Sequence, residues 1–167
     1  MAVARHTDAL PNWGYSGSPL VIDGRVIVFA GGKTEKALLA YDAATGKLDW
    51  KAVAGLETYS SPQAVVLQGQ SQVLLVGDEE LAALEPASGK VIWKFKYAES
   101  FGRPVVQPRL VGDSKILVSF LPDGGVSELE ITRQADSWNV TEAWNSSHIK
   151  PDYSDFVHYD GHISQFD

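Results

Sequence analysis

Apolar positions along this chain come in short runs that end in glycine, proline or acidic turn residues. "PLVIDGRVIVFA", from Pro19 to Ala30, holds two valine- and isoleucine-rich runs separated by Asp23-Gly24. Asp-Gly tolerates the positive φ of a tight hairpin turn, so the segment predicts two antiparallel strands. "QVLLVGDEELAALEP" repeats the idea with Gly77-Asp78. "DAATGKLDW" and "EPASGKVIW" place Gly46 and Gly89 where a further strand-to-strand turn needs a left-handed residue. No segment has sustained helical periodicity. The nearest, "EKALLAYDAA", is short and reads as strand plus turn.

These elements recur. "YDAATGKLDW" ends at Trp50 and "LEPASGKVIW" at Trp93, 43 residues apart, and the Ser-Pro entries at Pro19 and Pro62 keep the same spacing. A third unit opens with "VVQPRLVGDSKILVSF" at Val105 and puts Trp144 in the terminal tryptophan slot. Trp93 and Trp144 are 51 residues apart, which places extra residues around "RQADSWN". A fourth unit, "SDFVHYDGHISQFD", has its own Asp160-Gly161. Units of about 40–50 residues with four strands each are the signature of propeller blades. The fold expected is all-β, a partial β-propeller of four-stranded antiparallel blades, about three and a half of them in one domain over residues 1–167. Blade 1 runs over about 14–52, blade 2 over about 58–97, blade 3 over about 103–147 and a half blade 4 over about 153–167. Trp50, Trp93 and Trp144 are then packing residues that fill the gaps between neighbouring blades.

Composition narrows the function classes. The chain is 44% hydrophobic and 21% charged, which is globular. Its net charge of -7 supplies no basic stripe, which excludes a nucleic-acid backbone binder and argues against docking on an anionic membrane. With no cysteine there is no disulfide, thiolate metal site or cysteine nucleophile. No apolar run approaches the about 18 residues of a membrane helix, so no membrane insertion is expected. "MAVARHTDALPNWGYSGSP" lacks the apolar core of a signal peptide.

The ending "A-x-T-G-K-x-x-W" resembles the repeat of quinoprotein-like propellers, the PQQ-like repeat family. "NWGYSGSPLVIDGRVIVFAGG", "LLAYDAATGKLDWKA" and "DEELAALEPASGKVIWKF" are most similar to its bacterial PQQ-binding-like propeller proteins, and the similarity runs from Asn12 to Asp167. The family includes pyrroloquinoline-quinone alcohol dehydrogenases and an outer-membrane assembly scaffold. The resemblance implies the fold and export to the periplasm or cell surface, and it says little about chemistry. In the dehydrogenases the quinone lies between a tryptophan floor and a vicinal-cysteine disulfide beside a calcium ion. This chain has no cysteine and no acidic cluster that maps onto the calcium ligands, so no cofactor is expected. Family rings have seven or eight blades. Three and a half cannot close, so the chain is expected to be a slice of a longer repeat protein or to self-associate and complete a ring, a partner's strands filling out the half blade.

Candidate chemistry is sparse. "HYDGH" sets His158 and His162 across a hairpin near Asp155 and Asp160, the weak candidate for a metal against the reading of exposed turn residues. "GYSGS" at Gly14 fails as a nucleophile elbow in spacing and context. Gly31-Gly32 before Lys33-Thr34 lacks the spacing of a phosphate loop. Glu79 and Glu80 are adjacent on a strand, face opposite ways and are expected to keep a turn wet. "NVT" at Asn139 and "NSS" at Asn145 fit the glycosylation sequon, which the bacterial source implied by the resemblance makes meaningless, and both are expected to be turn residues. Entry segments to the innermost strands line a propeller's channel mouth. There lie Trp13, Gly14, Tyr15 and Ser16, then Glu57, Thr58, Tyr59 and Ser60, then Arg103 and Gln107, then Tyr153, Ser154 and Asp155. Such groups suit a sugar, a quinone or a peptide, or they cap the blade ends.

The function expected is a non-enzymatic binding or scaffold module for a protein or a small ligand. The alternative is part of a PQQ-dependent alcohol or sugar dehydrogenase, with calcium, whose catalytic residues lie largely outside this segment. A purely structural role, positioning another domain, is the third.

Overall fold

The computed structural model describes residues 14–31, 38–52, 58–97, 104–121, 124–151 and 153–165. Among them there are strands and turns and no helix. The first sheet comprises β1 (Leu20–Ile22), β2 (Arg25–Phe29), β3 (Leu38–Asp42) and β4 (Leu48–Ala52). The second has β5 (Gln63–Leu67), β6 (Gln70–Val76), β7 (Glu80–Leu84) and β8 (Val91–Lys96). The third has β9 (Arg109–Val111), β10 (Lys115–Leu121), β11 (Gly125–Gln134) and β12 (Ser137–Ser146). The fourth is the hairpin β13 (Phe156–Tyr159) and β14 (His162–Gln165). Every sheet is an antiparallel meander in chain order.

The innermost hairpin turn is built the same way in three sheets. Asp23-Gly24, Gln68-Gly69 and Asp160-Gly161 have φ pairs of 48 and 72, 48 and 74, and 50 and 75 degrees. Two left-handed residues give the turn a twist that matches the flanking strands. The second unit's turn is therefore Gln68-Gly69. Gly77-Asp78, where the apolar pattern suggested it, lies between β6 and β7, and the Gly77 amide donates to the Glu80 carbonyl at 2.8 Å. Gln68 tolerates the position because its amide donates to the Asp113 carbonyl of the third sheet at 3.0 Å.

The turn between third and fourth strands carries the repeated phrase. The Thr45 amide and hydroxyl both donate to the Asp42 carboxylate, at 2.7 and 2.6 Å, and hold its carboxyl below the usual carboxylate range. In the second sheet the Ser88 hydroxyl donates to the Glu85 carboxylate. The Gly46 and Gly89 amides donate to the carbonyls of Asp42 and Glu85 at 2.8 and 2.9 Å. A bulge follows in each sheet, with Ala40 opposite Trp50, Ala83 opposite Trp93 and Glu128 opposite Trp144 immediately beside it. The three tryptophans thus share one register position. The extra residues of the third unit lie where expected, because β11 and β12 extend to 10 residues each around the turn at Ala135 and Asp136.

The core is a stack of sheet-to-sheet interfaces. Ile27, Phe29, Leu38, Ala40 and Trp50 of the first sheet pack on Val73, Leu75, Ala82 and Leu84 of the second. The alternate residues of the second sheet, Leu74, Val76, Leu81 and Ala83, face Ile116, Val118, Leu129 and Ile131 of the third. Leu117 and Val126 of the third then meet Phe156 of the fourth. Strand alternation sends successive side chains to opposite faces, which is why β7 is buried at every position. Each such aliphatic side chain removed from water contributes about 1.5–3 kcal/mol.

Trp50 closes the first interface, 8% exposed, and its indole N–H donates to the Pro86 carbonyl at 3.0 Å. Its ring lies against Gly89, where a Cβ would stand 2.4 Å from the ring. Trp93, 5% exposed, donates to the Gln72 side-chain carbonyl at 2.8 Å. Trp144 departs from the packing role expected of it and is 37% exposed. The fourth sheet has two strands, so among the described residues no third-to-fourth-strand turn lies beyond Trp144 as the Pro86–Gly89 turn lies beyond Trp50.

Candidate functional site

The entry segments, where the channel-mouth residues were placed, are the joints between sheets. The Ser16 hydroxyl donates to the Tyr59 carbonyl at 3.3 Å, and the Ser18 amide to the Ser61 hydroxyl at 2.8 Å. One sheet further on, the Tyr59 amide and the Thr58 hydroxyl both donate to the Pro104 carbonyl, at 2.9 and 3.4 Å. The Ser60 hydroxyl donates to the Val106 carbonyl at 3.4 Å, and the Gln107 side-chain Nε2 to the Ser61 carbonyl at 3.2 Å. Thr58 and Ser60 are buried. A Cβ at Gly17 would lie 3.1 Å from the Ser60 carbonyl oxygen, so a glycine there lets the first entry segment lie against the second. Serine and threonine serve because buried backbone carbonyls need short donors at close range.

The remaining candidates are more exposed. The Tyr15 hydroxyl donates to the Ala30 carbonyl at 2.6 Å, its ring edge-on to Phe29. Tyr153 is 84% exposed. Asp155 pairs with Arg109 of the third sheet and accepts the Phe156 amide at 2.8 Å, which ties the fourth sheet to the third. Trp13, Glu57 and Arg103 lie outside the described residues.

The histidines are not brought together. His158 pairs with Ile163 and His162 with Tyr159 across the hairpin, so the two imidazoles project from opposite faces. Among the described residues no three His, Asp or Glu side chains group so as to hold a metal ion.

The sequence reading missed an aromatic and acidic junction at the outer rim between the second and third sheets. Tyr97 stacks on Phe120 with centroids 3.9 Å apart, and its hydroxyl donates to the Gly77 carbonyl. Glu80 does not keep a turn wet. It is 7% exposed and bonds Lys94, because its diagonal neighbour on β8 brings a cation over it. The alternating Phe95 and Tyr97 in "KFKYA" were the signal for this junction. Tyr97 and Phe120 line a cleft of about 150 Å³ with Ser127, Glu142 and Asn145, and a second cleft of about 230 Å³ lies by Arg133 and Trp138. Both are smaller than the about 300–1,000 Å³ of typical ligand pockets.

Burial, and then the carboxylates of Asp78, Glu80 and Glu79, push the Tyr97 hydroxyl above the usual tyrosine range. In the unfolded chain it ionises near 10.0. Its folded value is raised, so its contribution to stability is complete below that pH and is lost as pH rises above it. Urea unfolding at a series of alkaline pH values is expected to show a declining stability whose slope flattens in Tyr97→Phe. An unchanged slope in that variant would contradict the assignment.

Four-stranded antiparallel sheets in chain order, packed face to face, define an open, partial β-propeller of the PQQ-like repeat type. The chain belongs to the family whose model is described as outer membrane protein assembly factor BamB, which matches residues 7–164. Among solved structures the chain is similar to BamB from Moraxella catarrhalis, at 19% identity and a TM-score of 0.49 over 70% of this chain. The match spans 34% of that protein's length. No curated protein matches.

Proposed function

We propose that the chain is a non-enzymatic scaffold module that binds another protein. The observation that carries this reading is the use of Ser16, Thr58, Ser60 and Gln107. Their polar groups face neighbouring backbone and hold the sheets in register rather than converging on a ligand. What the inner rim presents outward is surface suited to protein contact, the exposed Tyr15 and Tyr153 and the edge strands β1, β5, β9 and β13. Edge strands carry unpaired backbone groups that accept a partner. The family description, an outer membrane assembly factor, supports a protein partner and a periplasmic location.

The rival reading is a fragment of a quinone-dependent dehydrogenase. Titration with pyrroloquinoline quinone, with and without calcium, followed by tryptophan fluorescence, separates the two. The scaffold reading expects no saturable, calcium-dependent quenching. Calcium-dependent saturation would favour the dehydrogenase.

A further inference from the structure

The outer hairpin of the third sheet is longer than that of the second, and the difference opens a cleft. In the second sheet the chain turns directly after the Leu84–Val91 pair. In the third the matching pair is Leu129–Glu142, and the ladder continues from Glu130–Thr141 to Gln134–Ser137 before it turns at Ala135 and Asp136. The third sheet therefore offers Trp93 no short turn of the kind that the second offers Trp50. The Trp93 indole bonds Gln72 of its own sheet instead. Gln72 is fully buried, and its Nε2 has no acceptor among the described residues. Between the extension and the Glu85–Lys90 turn of the second sheet lies the cleft of about 230 Å³.

Both walls of this cleft are charged. The second sheet supplies Glu85 and Lys90, and the third supplies Arg133 and Asp136. Among the described residues no ion pair joins any of the four. Two of them are fixed by local bonds. The Ser88 hydroxyl donates to the Glu85 carboxylate. Arg133 Nε donates to the Ala135 carbonyl at 3.1 Å, and the guanidinium lies 5.3 Å from the centre of the Trp138 ring. A carboxylate on one wall and a guanidinium on the other are thus held ready, with half-buried Val91, Ile92 and Trp138 as the apolar part of the lining. A lone anion in this space would meet Glu85 and Asp136, and a lone cation would meet Lys90 and Arg133. A molecule that carries both charges finds a counter-charge for each. We propose that the cleft binds a small zwitterion, an α-amino acid with an apolar side chain, its ammonium on Glu85 and its carboxylate on Arg133. A guanidinium suits that role because its planar fork takes a carboxylate through paired donors. This site lies apart from the entry segments and does not rest on the scaffold reading.

Titration of the isotope-labelled chain with L-leucine, followed by nuclear magnetic resonance, tests the proposal. A saturable shift of the Trp138 indole signal is expected, with a midpoint of about 1 mM, because exposed ion pairs each contribute little. Raising the salt concentration is expected to weaken it. Glu85→Gln and Arg133→Gln are each expected to weaken binding about tenfold, with an unchanged far-ultraviolet circular dichroism spectrum. Lys47→Gln, at the place in the first sheet that Lys90 holds in the second, is expected to bind as wild type does. Isocaproate and isoamylamine carry one of the two charges each, and both are expected to bind about tenfold more weakly than L-leucine. The absence of a saturable shift, an equal response to isocaproate or to D-glucose, or unchanged binding in Glu85→Gln and Arg133→Gln would overturn the proposal.

Discussion

Trp50→Ala is expected to lower the unfolding free energy by about 3–5 kcal/mol, measured by urea denaturation. The ring is 8% exposed in the interface between the first and second sheets, so its removal opens a cavity between two rigid surfaces. The substitution also leaves the Pro86 carbonyl without the indole donor. An unpaired buried acceptor adds about 1–3 kcal/mol, which places the result toward the top of that range. Trp144→Ala is the internal contrast. It holds the same register position, opposite Glu128, but is 37% exposed, and its loss is expected to cost less than about 1 kcal/mol. Equal costs at the two positions would mean that register, and not the covering turn, decides the role of this tryptophan.

Gly89→Ala is expected to be much more damaging than Gly46→Ala, although the two glycines hold the same place in the repeat. Their φ values are +70 and +69 degrees, so the backbone cost of a Cβ is the same, about 1–2 kcal/mol. A Cβ at Gly46 meets nothing within 4 Å. At Gly89 it would lie 2.4 Å from Trp50 Cε3 and 2.7 Å from Cδ2, so the indole must move. Overpacking of this kind costs about 1–3 kcal/mol more. Matched thermal and urea unfolding of the two variants gives the difference directly, and a zero difference would remove the indole from this position.

Local chemistry explains which parts of this architecture were legible in the sequence. Asp23-Gly24, Gly46, Gly89 and Trp50 each announce a backbone geometry or a large apolar surface within a few residues, and each is used as its neighbours imply. Gln68-Gly69 was hidden because glutamine does not advertise a left-handed φ, and what makes it tolerable is a carbonyl in the next sheet, Asp113, far along the chain. Glu80 was misread for a similar reason, since its burial depends on Lys94 from another strand. The entry residues Ser16, Thr58, Ser60 and Gln107 were placed on the inner rim by register alone. What their side chains bond is set by the neighbouring sheet and had no signature in their own segments. Function stayed least legible, because the repeat specifies how sheets stack and leaves the exposed groups free to vary.

The account's central claim is that this chain is a stack of repeated sheets in which Trp50 of the first is seated on the Pro86–Gly89 turn of the second. A double-mutant cycle on Trp50→Ala and Gly89→Ala tests that most directly. With the indole gone, Gly89→Ala should cost no more than Gly46→Ala does, a coupling of at least about 1 kcal/mol between the two positions. Additive costs, within about 0.5 kcal/mol, would show that Trp50 and Gly89 do not touch in solution and would contradict the stacked-sheet account.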